Sequence, residues 1–157
     1  MAHLVVFQPD ARVEARLSDA LNTKHRVSTV DSWSSLSTFV VREGVDGCVV
    51  DADHPTREDA LAEIRRMRQR HPGIALVAYA DLDETDLELY HFGALGVDGV
   101  LLARRPPWAA TIRDAMERSL ATARASRVRT TLEGRYAPEA VRAIAWSVEH
   151  AGRCLTV

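Results

Sequence analysis

The fold predicted here is a doubly wound α/β domain: a five-stranded parallel sheet in the order 2-1-3-4-5, with a C-terminal helical extension. Three features of the sequence carry that expectation. Short apolar runs alternate with amphipathic stretches five times along the chain. The clearest runs are continuously apolar, as in strands covered on both faces, rather than alternating. Turn signals fall between the units, and right-handed crossovers between parallel strands then give a doubly wound fold, commonly in this strand order.

Residues 4–7 form the first apolar strand. Residues 12–21 follow as a helix that places Val13, Leu17, Ala20 and Leu21 on one face. Residues 26–30 read as a second strand. Residues 33–41 read as a second helix, with Leu36, Phe39 and Val40 inward and Gly44 just past its end. Residues 47–50, closed by Asp51, form the third strand. Pro55-Thr56 leads into a helix to about Arg70, with Leu61, Ile64 and Met67 inward and Arg65, Arg66, Arg68 and Arg70 outward. His71-Pro72-Gly73 breaks it. Residues 74–79 form a fourth strand, 81–85 a polar loop, and a short helix runs to about Leu95 with Gly96 as its cap. Residues 100–102 form a fifth strand. Pro106-Pro107 then precedes a long helix over 108–131, with Ile112, Ala115, Met116, Leu120 and Ala123 inward.

The chain has 157 residues, 46% hydrophobic and 27% charged, which suits one domain, 1–125, and a short extension, 126–157. A net charge of −2 argues against non-specific nucleic-acid binding by the bulk of the chain. Lys24 is the only lysine. Cys48, in an apolar run, and Cys154 lack CxxC or metal-ligand spacing, so free thiols in a cytoplasmic protein are expected. No apolar run approaches the ~18 residues needed to span a bilayer, and no signal peptide or membrane contact is expected. G-x-S-x-G, P-loop and G-x-G-x-x-G motifs are absent, and the first βα loop, Gln8-Pro9-Asp10-Ala11, lacks glycine. An enzyme is therefore not expected. A lone His54 in a loop reads as polar surface rather than as a metal ligand.

In such sheets the functional crevice lies at the carboxyl ends of the strands. The residues to read there are 8–10, 51–55, 78–83 and 103–107, and two longer stretches are Asp46-Gly47-Cys48-Val49-Val50-Asp51-Ala52-Asp53-His54-Pro55 and Phe92-Gly93-Ala94-Leu95-Gly96-Val97-Asp98-Gly99-Val100-Leu101-Leu102. In order and spacing, over roughly residues 3–125, these stretches resemble the receiver domain of bacterial two-component response regulators. The resemblance implies a flavodoxin-like receiver fold. It also implies a phospho-acceptor-like position at Asp51, with Pro55 four residues later.

Receiver chemistry implies four parts: an attacking aspartate, a divalent cation held by it and an acidic pair after the first strand, a lysine after the fifth strand, and a Ser or Thr after the fourth. Only the aspartate is in place. The acidic-pair positions fall on Phe7, Gln8 or Pro9, with Asp10 able to supply one ligand; the Ser/Thr position falls on Val77 or Ala78; the lysine position falls on Ala103. Arg104 or Arg105 could lend charge, but an arginine fork does not replace a lysine. Mg²⁺ is the ion the resemblance implies, with Asp10, Asp51 and Asp53 as weak candidate ligands, yet one ligand carboxylate makes a poor octahedral site, so no cofactor is expected. The expected site is a crevice of Gln8, Asp10, Asp51, Asp53, His54, Pro55, Val77, Ala103 and Arg104, in a pseudo-receiver that is not phosphorylated by the standard mechanism. Atypical phosphorylation of Asp51 and small-ligand sensing or dimerisation are the rival readings.

Beyond the stripe of the long helix, Arg124, Arg127 and Arg129 make its far end basic, with Val128 and Leu132 as the apolar candidates for a dimer seam. Residues 136–157 resemble the first helix of an AraC-type helix-turn-helix region, in which Pro138 opens a helix with Val141, Ile144, Ala145 and Val148 on its apolar face and Trp146 needing burial. Three partner expectations follow: a homodimer through the last receiver helix or the C-terminal helix, a histidine kinase, and DNA only through a helix-turn-helix domain absent from this chain. The setting the resemblance implies is transcription regulation.

Overall fold

The computed structural model describes residues 1–83, 85, 87–104, 108–132 and 137–150, with the backbone alone for Trp108. Its elements follow the expected order. They are β1 (His3–Phe7), α1 (Ala11–Asn22), β2 (Arg26–Val30), α2 (Trp33–Glu43), β3 (Gly47–Asp51), α3 (Arg57–Arg70), β4 (Ala75–Ala80), α4 (Leu89–Ala94), β5 (Gly99–Leu102), α5 (Trp108–Leu132) and α6 (Pro138–His150). The strands form one parallel sheet, β2-β1-β3-β4-β5.

The continuous apolar runs serve two cores at once, because successive strand side chains point to opposite faces. Leu4, Val6, Val49 and Val77 face Leu17, Ile112, Met116 and Leu120 of α1 and α5. Val5, Phe7, Cys48, Val50 and Leu76 face Leu36, Ile64, Met67 and Phe92 of α2, α3 and α4. Burial of Cys48 pushes its thiol up to about 12. Cys154 lies outside the described residues. Ser32 and Thr56 cap α2 and α3 by accepting the N–H of Ser35 and Asp59. Gly44 ends α2 in the left-handed region at φ 63°.

Two expectations about side-chain placement need correction, those for Arg68 and for the apolar face of α6. Arg68 does not point outward. Its guanidinium reaches back under the end of α3, donates to the carbonyls of Pro72 and Ile74 at 3.0 and 2.8 Å, and pairs with Asp98 at 3.1 Å. Carbonyls left open near a helix end are natural acceptors for such a cation. At the basic end of α5, Arg127 lies with its stem over Gly73 and pairs with Asp46 at 3.4 Å. On α6, Val141 and Ala145 are buried and Val148 is half-buried, but Ile144 and Trp146 are 42% and 60% exposed. The helix meets α5 on a narrow stripe, so Trp146 lies outside it and stacks on His150 instead. Among the described residues no helix is long and apolar enough to cross a membrane.

Candidate functional site

The carboxyl ends of β1, β3, β4 and β5 converge on Asp51, as the sheet register requires. Asp51 closes β3 opposite Tyr79. The chain continues this pairing one step further, with Ala52 N–H donating to the Tyr79 carbonyl at 2.8 Å and Ala103 N–H to the Ala80 carbonyl at 2.9 Å. Asp51 is 7% exposed and accepts the Asp53 N–H at 2.7 Å. Burial raises its carboxyl above the ordinary range, while the Asp53 N–H, the adjacent Gln8 amide and His54 act the other way.

Gln8 sits at the end of β1, buried, with its Oε1 accepting the Asp10 N–H at 3.0 Å. Its Nε2 is buried and, although the amide lies beside Asp51, makes no hydrogen bond of good geometry. Asp10 caps α1, accepting the N–H groups of Arg12 and Val13 at 2.8 and 3.2 Å. His54 is exposed, and the His54–Pro55 peptide is cis. The His54 carbonyl accepts the Trp33 indole N–H at 2.9 Å, and both rings stand edge-on to Phe7.

Asp53 is turned away from Asp51. Its Oδ1 accepts Arg57 Nε at 2.7 Å, and its Oδ2 accepts the Asp81 N–H at 2.6 Å. The same Arg57 also pairs with Glu88 and reaches the Asp81 carbonyl. Arg104, exposed after β5, grips Asp81 through Nε at 2.7 Å and holds that carboxyl below its ordinary range. Among the described residues, the arginines near the crevice, Arg57 and Arg104, are thus bound to Asp53, Glu88 and Asp81 rather than to Asp51. Arg57, Asp81 and Glu88 were not singled out from the sequence, although the i,i+4 spacing of Asp53 and Arg57 is a signal for their pair.

Two positions differ from expectation. Val77 and Ala78 lie inside β4, both fully buried, and Val77 pairs with Val49 and Gly99 well below the crevice. The residue that ends β4, beside Leu102, is Ala80, and Val77 lies three residues deeper in the strand and does not line the crevice. The strand runs one residue farther than its apolar pattern indicates, because Ala80 is itself buried against Phe92 and its neighbours. Ala103, by contrast, stands where expected, just after β5, half-buried against the α1 and α5 face. Arg105 lies outside the described residues.

Together these side chains make a negative crevice. Burial raises the Tyr79 hydroxyl above its ordinary range, and the charges of Asp51, Asp10, Asp81 and Asp53 push the same way. The donor set does not fit a magnesium ion, because Gln8 is neutral, Asp10 is spent on a helix cap and Asp53 on an arginine. Among the described residues no three His, Cys, Asp or Glu side chains come together as a metal set.

No protein-family model and no curated protein matches the chain. Solved structures do. NtrX from Brucella abortus, in complex with ADP, aligns with 85% of this chain at TM-score 0.71 and 16% identity, and the matched part spans 29% of NtrX. An orphan response regulator of H. pylori aligns with 76% of this chain and 96% of its own at TM-score 0.64 and 16% identity. A response regulator from Thermotoga maritima aligns with 74% of this chain and 98% of its own at TM-score 0.64 and 18% identity. By its strand order, its flanking helices and these likenesses, the chain has the flavodoxin-like fold of response-regulator receiver domains.

Proposed function

We propose that this chain is a non-catalytic regulatory domain of the receiver type that signals without magnesium-dependent phosphorylation of Asp51. The observation that carries the reading is the lack of a committed cation at that carboxylate among the described residues. Ala103 offers a methyl group where the resemblance implies a lysine, and Arg57 and Arg104 are paired with other carboxylates. Phosphoryl transfer needs the charge of the transferred group neutralised, and a neutral Gln8 beside a buried Asp51 does not supply it.

The proposed output is association, as a homodimer through α5 or α6, in a regulator of transcription; a histidine kinase would then be a binding partner rather than a phosphoryl donor. The support for that setting is the resemblance of residues 136–157 to a helix-turn-helix region, of which α6 is the part described. Incubation with magnesium and acetyl phosphate, read by intact mass spectrometry, tests the central claim. The expected outcome is an unchanged mass. A stable adduct of ~80 Da, one phosphoryl group, that disappears in Asp51→Asn would overturn it and establish the atypical phospho-acceptor reading.

A further inference from the structure

A second concavity lies between α3 and α4, and none of its lining residues belongs to the Asp51 crevice. It encloses about 550 Å³ and is lined by Leu61, Arg65, Arg68, Gln69, His91, Ala94 and Leu95. That volume falls within the range of small-molecule sites. Leu61, Arg65 and Gln69 succeed one another at i,i+4 on one face of α3, and His91 faces them from α4. Leu61, Ala94 and Leu95 supply apolar surface; Leu61 and Leu95 are half-buried against the core.

The polar lining is one-sided. It contains two arginines, a glutamine and a histidine, and no carboxylate. Arg68 is already spent on Pro72, Ile74 and Asp98 and forms a fixed wall. Arg65, which is exposed, pairs with no acid within 4 Å among the described residues, unlike Arg66 one residue on, which is bound to Glu63. An unpaired guanidinium beside an apolar surface suits a ligand that has both an anionic end and an apolar body.

We infer that this groove binds a small organic anion, with its apolar body on Leu61, Ala94 and Leu95 and its carboxylate or phosphate against Arg65, Gln69 and His91. An occupant would touch the Arg68 clamp, which joins the end of α3 to Asp98, and Asp98 in turn accepts the Leu76 N–H of β4 at 2.7 Å. The site is thereby linked to the sheet without passing through Asp51.

The test is a titration of the isotopically labelled full chain with phenyl phosphate, phenylacetate, phenylacetamide and inorganic phosphate, followed by backbone amide shifts. The two organic anions are expected to give saturable shifts confined to residues 61–69 and 91–96. Phenylacetamide and inorganic phosphate are expected to bind at least about tenfold more weakly. Arg65→Gln, at an exposed position that leaves the fold intact, should lower phenyl phosphate affinity about tenfold or more, and Arg66→Gln should leave it unchanged. Three results overturn the proposal: no saturation by about 10 mM, equal binding of phenylacetamide and phenylacetate, or equal effects of the two arginine substitutions.

Discussion

Asp51 is buried at the end of β3 with one strong backbone donor, from Asp53, and no lysine opposite. Burial lifts its folded pKa above the ordinary 3.8, so the folded state favours the protonated form. The sign of the linkage follows. The stability this group contributes is complete below pH 3.8 and is lost as pH rises through the folded value, so the ionised carboxylate is a net cost at neutral pH. Asp51→Asn keeps an acceptor for the Asp53 N–H and removes that cost. Thermal melts should show the variant more stable than the parent at pH 7, with the difference narrowing as pH falls toward 3.8. A variant less stable at pH 7 would show that the ionised form is stabilised after all. Asp51, Ala103 and Gln8 were legible in the sequence because their positions relative to strand ends follow from chain spacing. That Arg57 and Arg104 serve Asp53, Glu88 and Asp81 was not, because loops after different strands meet only in the folded sheet.

Helix ends explain several residues that invite a chemical reading. Asp10 could be taken for a metal ligand, yet it accepts two N–H groups at the start of α1, a role open equally to asparagine. Asp10→Asn should therefore be neutral in a urea melt, and Asp10→Ala should cost about 1 kcal/mol; comparable losses in both would mean that the charge itself matters. Gly96 follows α4 at φ 78°, and a Cβ there would stand 3.3 Å from the Arg68 stem, so its glycine suits both the helix end and the clamp. The helix boundaries were legible from such punctuation. The inward turn of Arg68 was not, because an arginine on an exposed arc of α3 is recognisable as a clamp only once the Pro72 and Ile74 carbonyls are placed beneath it.

The molecule has one sheet with two covered faces, and α6 lies outside both. It packs on α5 through Val141 and Ala145, and a helix of 13 residues is marginal alone. Burying one valine and one alanine stabilises it by about 2–4 kcal/mol. Native-state hydrogen exchange should accordingly show α6 amides protected about 30- to 1000-fold, well below those of β3. Equal protection of α6 and β3 would place α6 within the main cooperative unit. Its exposed Trp146 and Ile144 also show the limit of periodicity: the sequence identifies an apolar stripe, whereas the width of the partner surface on α5 decides how much of it is covered.

From the sequence alone come the five βα units, the two apolar faces and the Asp51-to-Pro55 spacing. Each follows from local periodicity and chain connectivity, which tertiary packing has little power to change. Only the tertiary structure decided which cations meet which carboxylates, that β4 runs on to Ala80, that Arg68 turns inward, and that Arg65 is left without an acidic partner among the described residues, over an apolar groove. Those outcomes depend on distances between segments remote in the chain, where long polar side chains select the nearest unsatisfied partner.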